Sequence, residues 1–351
     1  MKKNFKTLMA GSVCMLVMNS AHAYKYIIYT DDVKTDKAEK ITELMRTTYP
    51  FSKFDIDFEI VTLKPEELPC GSTNGIDRLV TCDSSGDLQK RAMESGGDQA
   101  MILKDSSQFG GSSHIGGGVP VITTAADPRA MLHEYLHTLG LCDEYEYKAS
   151  EAVVYCSPSR DNKPNVVFID PLNPYGSDNM AKAKHSIQIP WFGDILSSTP
   201  ITNTEGTILG TGDVDSKKKA ARNESTEPQV LGEPTGLYKG KVCNNTFPRP
   251  RNSWQPGSGV TIMENTNAGL GAPLEKIVEK LLVSKGVRTK LQFMEEGPVK
   301  KPSQAQEEPA GSVVVDSQPM EKINDTARSF VKSFFSWTRD LFENVKRVLG
   351  R

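Results

Sequence analysis

Short apolar runs separated by amphipathic stretches mark the first hundred residues of the chain. Apolar residues cluster from Tyr26 to Tyr29, from Phe54 to Leu63 and from Ala100 to Leu103, which is typical of strands. Between these runs, the spacing of apolar residues predicts helices at about Ala38 to Thr48 and near Leu88 to Ser95. Strands that alternate with short helices indicate an α/β layer built on one sheet.

A glycine-dense segment follows, from Gln108 to Val121. One interpretation is a flexible surface loop, because such a composition does not pack as ordinary core. The other is the edge strand of the sheet and its approach, where a backbone with few side chains can pair with an extended peptide.

The next amphipathic segment carries the candidate chemistry of the chain. Asp127 and Pro128 are a suitable N-cap and first residue for a helix. Within that helix, His133 and His137 lie four positions apart, so both imidazoles project from one face and can share a tetrahedral Zn²⁺. Glu134 lies beside them, where a carboxylate can take a proton from an attacking water molecule.

The residues after the second histidine extend this motif to HExxHxxGxxD. A helix that continued past His137 would carry residue 143 away from the metal, whereas Gly140 can adopt a positive φ and turn the chain back. Asp143 can then serve as the third ligand. A chance match is the alternative for the bare five-residue pattern, but Gly140 and Asp143 favour a zinc site. His114 and His185 stay open as alternative ligands beside a surface or packing role.

The second half of the chain has weaker patterns. From about Ser150 to Pro234 it is polar and rich in Pro, Asn, Gly and Lys, which predicts long loops or an inserted subdomain. Thr261-Ile262-Met263 then follows a glycine-rich approach. Apolar residues from Pro273 to Ser284 have helical spacing, and Pro273 suits the first position of that helix.

These segments together resemble the metzincin clan of zinc peptidases and, within it, the IgA-peptidase-like metallopeptidases. The resemblance covers roughly Ala100 to Leu282. Its segments, in chain order, are Phe109 to Ser112, the HEYLHTLGLCDEY motif, Ile187 to Trp191, Gly236 to Gly240 and Thr261 to Met263. It implies an α+β zincin fold with a twisted mixed sheet, an active-site helix and a loop-rich C-terminal subdomain. It also places the substrate-binding edge just upstream of the metal helix, which favours the edge-strand interpretation of the glycine-dense segment.

The resemblance further implies that Met263 forms an apolar floor beneath the metal, in the so-called Met-turn. The sequence departs from the usual metzincin pattern at Asp143, where most members have a histidine. It also lacks a tyrosine two residues after Met263. The hydroxyl that stabilises the oxyanion would therefore come from elsewhere, and Tyr145 and Tyr147 are the candidates.

The start of the chain predicts export. Three lysines within the first six residues precede an apolar core from Leu8 to Met18, and Ala21-His22-Ala23 is a cleavage site of the AxA type. We expect a mature chain from Tyr24 that is secreted or periplasmic, with no transmembrane helix. Loss of the three lysines changes the net charge from −2 to about −5, which argues against nucleic acid as a partner.

Five cysteines remain after the predicted signal peptide, an odd number for an oxidising compartment. Cys70 and Cys82 bracket a polar loop and form the first predicted disulfide, and Cys156 with Cys243 the second. Cys142 is then left as a small buried packing residue.

The end of the chain changes composition. We interpret residues 1–23 as the signal peptide, 24–290 as the zincin metallopeptidase domain, 291–322 as a disordered linker and 323–351 as an amphipathic helix. That helix either docks back on the catalytic domain or binds a membrane surface or a protein partner.

The sequence thus predicts an exported, monomeric zinc endopeptidase that acts on peptide or protein substrates. One alternative is a secreted binding or adhesion protein with a structural zinc, against which the presence of Glu134 argues because structural zinc needs no base. Another is a zinc hydrolase that acts on a non-peptide amide of the cell wall, since an activated water molecule attacks any amide carbonyl.

Overall fold

The computed structural model describes residues 23–73, 75–148, 151–152, 155–156, 162–169, 175–202, 212–213, 234–244 and 252–292. The chain divides into two compact units at residue 299, and all of the described residues fall in the first. The predicted signal peptide, linker and C-terminal amphipathic helix lie outside the described residues.

A seven-stranded mixed sheet forms the body of this unit, with the order β2-β1-β5-β7-β6-β4-β3. The strands are β1 Tyr24–Thr30, β2 Ile56–Thr62, β3 Cys70–Thr73, β4 Ile76–Cys82, β5 Gln99–Lys104, β6 Gly111–His114 and β7 Gly117–Thr123. β1, β2, β5 and β7 run parallel to their neighbours in the order β2-β1-β5-β7. The hairpins β6–β7 and β3–β4 are antiparallel, and β4 joins β6 in parallel through Leu79 and Gly111. The expected combination of a mixed sheet with several helices is therefore confirmed.

Helices cover both faces of the sheet: α1 Asp36–Thr47, α2 Ser85–Glu94 and α3 Pro128–Thr138. Successive side chains of a strand point to opposite faces. Tyr26 and Ile28 of β1 accordingly belong to the core shared with α1 and α3, whereas Ile27 and Tyr29 belong to the core shared with α2. Burial on both faces explains why β1 and β5 are continuous apolar runs rather than alternating ones.

The chain after α3 adds a smaller four-stranded sheet with the order β8-β11-β10-β9. Its strands are β8 Val167–Phe168, β9 Gly212–Asp213, β10 Tyr238–Lys239 and β11 Ser253–Gln255, and the helices are α4 Asp178–His185 and α5 Ala272–Ser284. Two buried indoles hold this part together, since Trp191 Nε1 donates to the carbonyl of Gly236 and Trp254 Nε1 to that of Ile169, both over 2.8 Å.

The predicted strands and helices of the first hundred residues and the helix from Pro273 are confirmed, with shifts of a few residues at their ends. β2 is shorter than predicted because residues Phe51–Lys53 form a 3₁₀ helix and Phe54 lies outside the strand. The sequence did not predict the hairpin β3–β4, because β3 is short and the apolar residues of β4 do not alternate regularly.

This hairpin corrects the interpretation of the glycine-dense segment as the sheet edge. The segment forms β6 and β7, which lie inside the sheet, and β3 is the outermost strand on that side. Gly111 of β6 is already paired with Leu79 of β4. An extended peptide therefore does not find a wholly free edge at β6.

Both predicted disulfides are present. Cys70 joins Cys82 across β3 and β4, and Cys156 joins Cys243. Cys142 is buried and takes part in neither disulfide, as expected. Two disulfides are typical of proteins from an oxidising compartment. Within the described ranges, no helix has the length and apolar character that crossing a membrane requires.

Candidate metal centre

Helix α3 carries the two histidines of the motif on its buried side. The helix begins as predicted, with Pro128 in its first turn and the Asp127 side chain accepting a 2.8 Å hydrogen bond from the backbone N–H of Arg129. His133 and His137 follow one turn apart and are both buried, and their rings meet edge to face with centroids 4.8 Å apart.

Gly140 ends the helix and returns the chain to the histidines. Its φ is +100°, which a residue with a Cβ rarely adopts. The N–H of Gly140 donates to the carbonyl of His137 and the N–H of Leu141 to that of Leu136, which is the hydrogen-bond pattern of a Schellman motif. The reversed chain then places Asp143 against both imidazoles.

Three side-chain atoms converge at this point. Oδ1 of Asp143 lies 3.1 Å from Nε2 of His133 and 3.2 Å from Nε2 of His137, and the two Nε2 atoms are 3.2 Å apart. A tetrahedral ion about 2.0–2.1 Å from each ligand holds its ligands about 3.3 Å from one another. The triangle of ligand atoms therefore already has the dimensions of a zinc site, and the three residues form a group that could hold a metal ion.

When both imidazoles are neutral, their hydrogen bonds leave no proton at the centre of the triangle. Nδ1 of His133 lies 2.8 Å from the carbonyl of Ile262, and Nδ1 of His137 lies 2.8 Å from the carbonyl of Leu141. A carbonyl only accepts, so each neutral ring carries its proton on Nδ1 and presents a lone pair at Nε2. Oδ1 of Asp143 is buried and has no hydrogen-bond donor among the described residues. Three unshared lone pairs thus face one another, an arrangement that a cation stabilises.

The pKa values of His137 and Asp143 also indicate that the site favours positive charge. Burial lowers the pKa of His137, but the carboxylates of Asp143 and Glu134 outweigh burial and raise that pKa to about 9. Burial would raise the pKa of Asp143, yet the neighbouring imidazoles hold it well below its usual range. The group therefore stabilises positive charge, either as a proton on His137 or as a bound cation.

Tyr147 supports Asp143 from behind. Its hydroxyl donates a 2.6 Å hydrogen bond to Oδ2, the carboxylate oxygen that faces away from the histidines. Burial, together with the charge of Asp143, raises the pKa of Tyr147 well above its usual value, so this hydroxyl remains a proton donor. Tyr147 therefore orients a candidate ligand, and it is not among the residues that line the cleft described below.

A buried polar network fixes the loop that carries Asp143, and the sequence did not reveal it. The Asn165 amide exchanges two 2.8 Å hydrogen bonds with the backbone of Cys142 and donates to Glu144 over 2.9 Å. Glu144 also accepts a 2.6 Å hydrogen bond from the hydroxyl of Thr261, and its backbone N–H donates to the carbonyl of Met263. The Thr261 to Met263 segment is thereby tied to the candidate metal loop, and Met263 is fully buried.

Glu134 is half-buried on the same helix and lines the cleft beside the converging atoms. Burial raises the pKa of this carboxyl, against the effect of the two imidazoles, so its affinity for a proton is increased. The strand above it is close: a Cβ on Gly111 would lie 3.1 Å from Oε1 of Glu134 and 3.0 Å from the carbonyl of Val121. Glycine at this position leaves room for the carboxylate.

These residues open into a cleft with a volume of about 480 Å³. One side of the cleft is formed by β4 and the start of β6, and the floor by the motif residues with Ala126 and Ala130. The other side is formed by Tyr145, Tyr155, Val260 and residues Glu264 to Thr266. Tyr145 thus reaches the cleft, where its hydroxyl is 3.5 Å from Nη1 of Arg78.

Neither alternative histidine joins the candidate metal group. His114 is exposed on the β6–β7 hairpin. His185 is buried in α4, with Nε2 2.7 Å from the hydroxyl of Tyr175 and Nδ1 2.6 Å from Oε1 of Gln188. His133, His137 and Asp143 are therefore the group that the structure brings together.

Comparison with known proteins adds little to this geometry. No family model matches the chain, and no curated protein matches it. Among solved structures, the crystal structure of archaemetzincin from Methanopyrus kandleri is similar to 36% of this chain and 79% of its own, at 15% sequence identity and a TM-score of 0.24. A likeness of that size carries no argument about fold or function.

Proposed function

We propose that this protein is an exported zinc-dependent endopeptidase. The observation that carries the proposal is the convergence of three buried ligand atoms, two Nε2 and one Oδ1, at the floor of an open cleft with a carboxylate beside them. Two imidazoles and a carboxylate suit zinc, and three protein ligands are typical of catalytic rather than structural zinc sites.

Each residue would have a separate role. His133, His137 and Asp143 would hold the ion, which when bound polarises a carbonyl group and acidifies water. Glu134 would accept the proton of the attacking water molecule and pass it to the leaving amine, a task for which a raised carboxyl pKa is favourable. Met263 would lie in the segment beneath the site, held by the hydrogen bond from Glu144.

Tyr145 is the better of the two tyrosines for stabilising the oxyanion. It lines the cleft, whereas the hydroxyl of Tyr147 is committed to Asp143. Burial raises the pKa of Tyr145, so its hydroxyl is a proton donor at neutral pH. Tyr145 would therefore donate a hydrogen bond to the oxygen on which negative charge develops.

The metzincin-type fold and the IgA-peptidase-like relationship are part of this proposal. They are supported by the HExxHxxGxxD motif, by the helix-ending Gly140 and by the link between the Thr261 to Met263 segment and the metal loop. Export is supported by the basic and apolar start of the sequence and by the two disulfides.

The alternative of a structural zinc is less well supported, since a closed site needs a fourth protein ligand and the described group contains three. No feature of the cleft favours a cell-wall amide over a peptide bond.

The proposal is tested with purified mature protein and the variant Glu134→Gln. We expect both proteins to bind one equivalent of zinc by elemental analysis, and only the wild type to cleave a diverse peptide library. Glu146→Gln is the matched control, because Glu146 is an exposed carboxylate between Tyr145 and Tyr147 and lies outside the cleft lining. Full activity of Glu134→Gln, or a wild type that holds no metal, would contradict the proposal.

A further inference from the structure

Arg78 stands out among the residues of the cleft that the proposed function leaves unused. It lies on β4, opposite the loop that carries Asp143 and Tyr145, and its side chain is 47% exposed. Among the described residues that line the cleft, it is the one lysine or arginine.

The guanidinium is held in a fixed orientation. Nη2 lies 2.9 Å and Nε 3.2 Å from Oε1 of Glu151, whose side chain is only 8% exposed. The ring of Tyr145 lies below it, with the guanidinium carbon 5.7 Å from the ring centroid. A mobile surface arginine would lose much side-chain entropy on binding a ligand, whereas this one is already ordered.

Within the described part of the chain, the contacts of Arg78 leave some of its N–H donors unused. Arginine has five N–H donors, and Glu151 and Tyr145 use three of them. The remaining donors belong to the two terminal nitrogens, which together form the fork that binds a carboxylate in a bidentate manner. Arg78 lines the cleft and its side chain is 47% exposed, so a ligand in the cleft can reach the guanidinium.

The acidic residues that line the cleft do not neutralise Arg78. Glu264 is 14% exposed and forms a 3.1 Å ion pair with Lys241. Asp143 is buried against the histidines. Among the described residues that line the cleft, the charged groups left for a ligand are thus Glu134, to which the mechanism assigns a proton, and Arg78.

We propose that Arg78 is a specificity-determining residue that binds an anionic group of the substrate, either an aspartate or glutamate side chain or the terminal carboxylate of a peptide. The inference rests on the proposed peptidase function and names the substrate class of the same site. Glu151 is then a positioning residue that aims the guanidinium into the cleft.

The competing explanation is a purely structural role, in which Arg78 only links β4 to Glu151 and Tyr145 across the cleft. The two explanations differ in what a substitution changes. Loss of a tie lowers the cleavage of all substrates by the same factor, whereas loss of an anion site lowers the cleavage of anionic substrates alone.

The experiment compares zinc-loaded wild type with Arg78→Gln and Arg78→Lys. The substrates are peptides that differ only by Glu or Gln on either side of the cleaved bond, each with a free or an amidated C-terminus. Arg46→Gln is the control, because Arg46 is similarly exposed at 46% but lies on α1 and is absent from the cleft lining. Zinc content and melting temperature are measured for every variant.

We expect the wild type to favour the anionic peptides by about tenfold to a hundredfold in kcat/KM, as for a hydrogen-bonded charge pair. Arg78→Gln removes this preference, Arg78→Lys retains part of it, and Arg46→Gln keeps it in full. A preference that persists with amidated termini identifies the side chain as the anion, and one that disappears on amidation identifies the terminal carboxylate.

A binding measurement supplies a readout that does not depend on turnover. In the Glu134→Gln background, calorimetry with the same peptides should show weaker binding of the anionic members when Arg78 is also replaced by Gln. An equal loss for anionic and neutral peptides, or a wild type that cleaves both equally, overturns the inference and leaves the peptidase proposal intact. A wild type that cleaves no peptide overturns both.

Discussion

Replacing Tyr147 by Phe removes one hydroxyl from the support of the candidate metal site and little else. The ring lies in a buried cluster with Cys142 and Val166 and stacks on Tyr155, and Phe retains these contacts. The lost interaction is the 2.6 Å hydrogen bond to Oδ2 of Asp143. A hydrogen bond to a charged acceptor contributes about 1.5–3 kcal/mol. Removal of an outer support of a metal ligand typically weakens binding by about tenfold to a hundredfold.

We therefore expect Tyr147→Phe to bind zinc about tenfold to a hundredfold more weakly than the wild type, measured by competition with a fluorescent chelator. Tyr145→Phe is the matched control, because its ring is 5.2 Å from that of Tyr147 while its hydroxyl faces Arg78 rather than Asp143. Its zinc affinity should equal that of the wild type. Unchanged affinity in Tyr147→Phe would refute the argument that this hydroxyl stabilises the ligand.

Three further predictions concern the framework around the site. Gly140→Ala should lower the free energy of unfolding by about 1–2 kcal/mol in urea titrations, because the φ of +100° at this position is unfavourable for alanine. Steric contact is not the cause, since the nearest atom outside the turn, on Pro164, is 3.7 Å from the added Cβ. An equally stable variant would contradict this. Replacing both cysteines of the Cys156–Cys243 disulfide by serine should lower the free energy of unfolding by roughly 4–5 kcal/mol, because this disulfide spans 87 residues. The same change at the Cys70–Cys82 disulfide, which spans 12 residues, should lower it by roughly 3 kcal/mol. The reverse order in denaturant unfolding would show that loop length does not determine the effect. Burial raises the pKa of Asp178, but hydrogen bonds from Lys182 and from the backbone of Ile201 and Thr202 lower that pKa more. The ionised carboxylate therefore stabilises the fold above the unfolded pKa of about 3.9, and this contribution is lost as the pH falls through the lower folded pKa. Asp178→Asn should therefore destabilise the protein at neutral pH and lose this effect in acid, and a stability difference that does not change with pH would argue against the assignment.

The convergence of His133, His137 and Asp143 could be predicted because every step that creates it is local. The helical repeat places the two histidines on one face, and the positive φ of Gly140 reverses the chain within three residues. A short stretch of sequence therefore contains the whole geometry. Metal binding and catalysis by these residues stay predictions.

The support of the site could not be predicted, because it depends on contacts between distant parts of the chain. The hydrogen bond from Thr261 to Glu144 spans 117 positions, and that from Arg78 to Glu151 spans 73. Glu144 sits in a run of polar residues that is typical of an exposed loop, yet it is 1% exposed. A carboxylate this deeply buried is recognisable only once its partners are known.

The sheet shows the same division between local and distant information. β1, β5 and α1 have strong local patterns that predict them, whereas β3 has only four residues and β4 mixes polar and apolar residues without regular alternation. Their position next to β6 follows from one residue pair, Leu79 with Gly111, and from the packing of Val80 and Arg78 against Gly110. A side chain on Gly110 would clash with Val80 and with the carbonyl of Arg78, which explains why this position is glycine. The presence of a glycine alone does not predict the neighbouring strand.

The central claim is that one metal ion lies between His133, His137 and Asp143. Anomalous diffraction from crystals of the mature protein grown with zinc, recorded on both sides of the zinc absorption edge, tests this most directly. The account predicts a single strong peak about 2.0–2.2 Å from Nε2 of each histidine and from Oδ1 of Asp143. A map with no peak among these three atoms, or with the ion bound elsewhere on the chain, would contradict it.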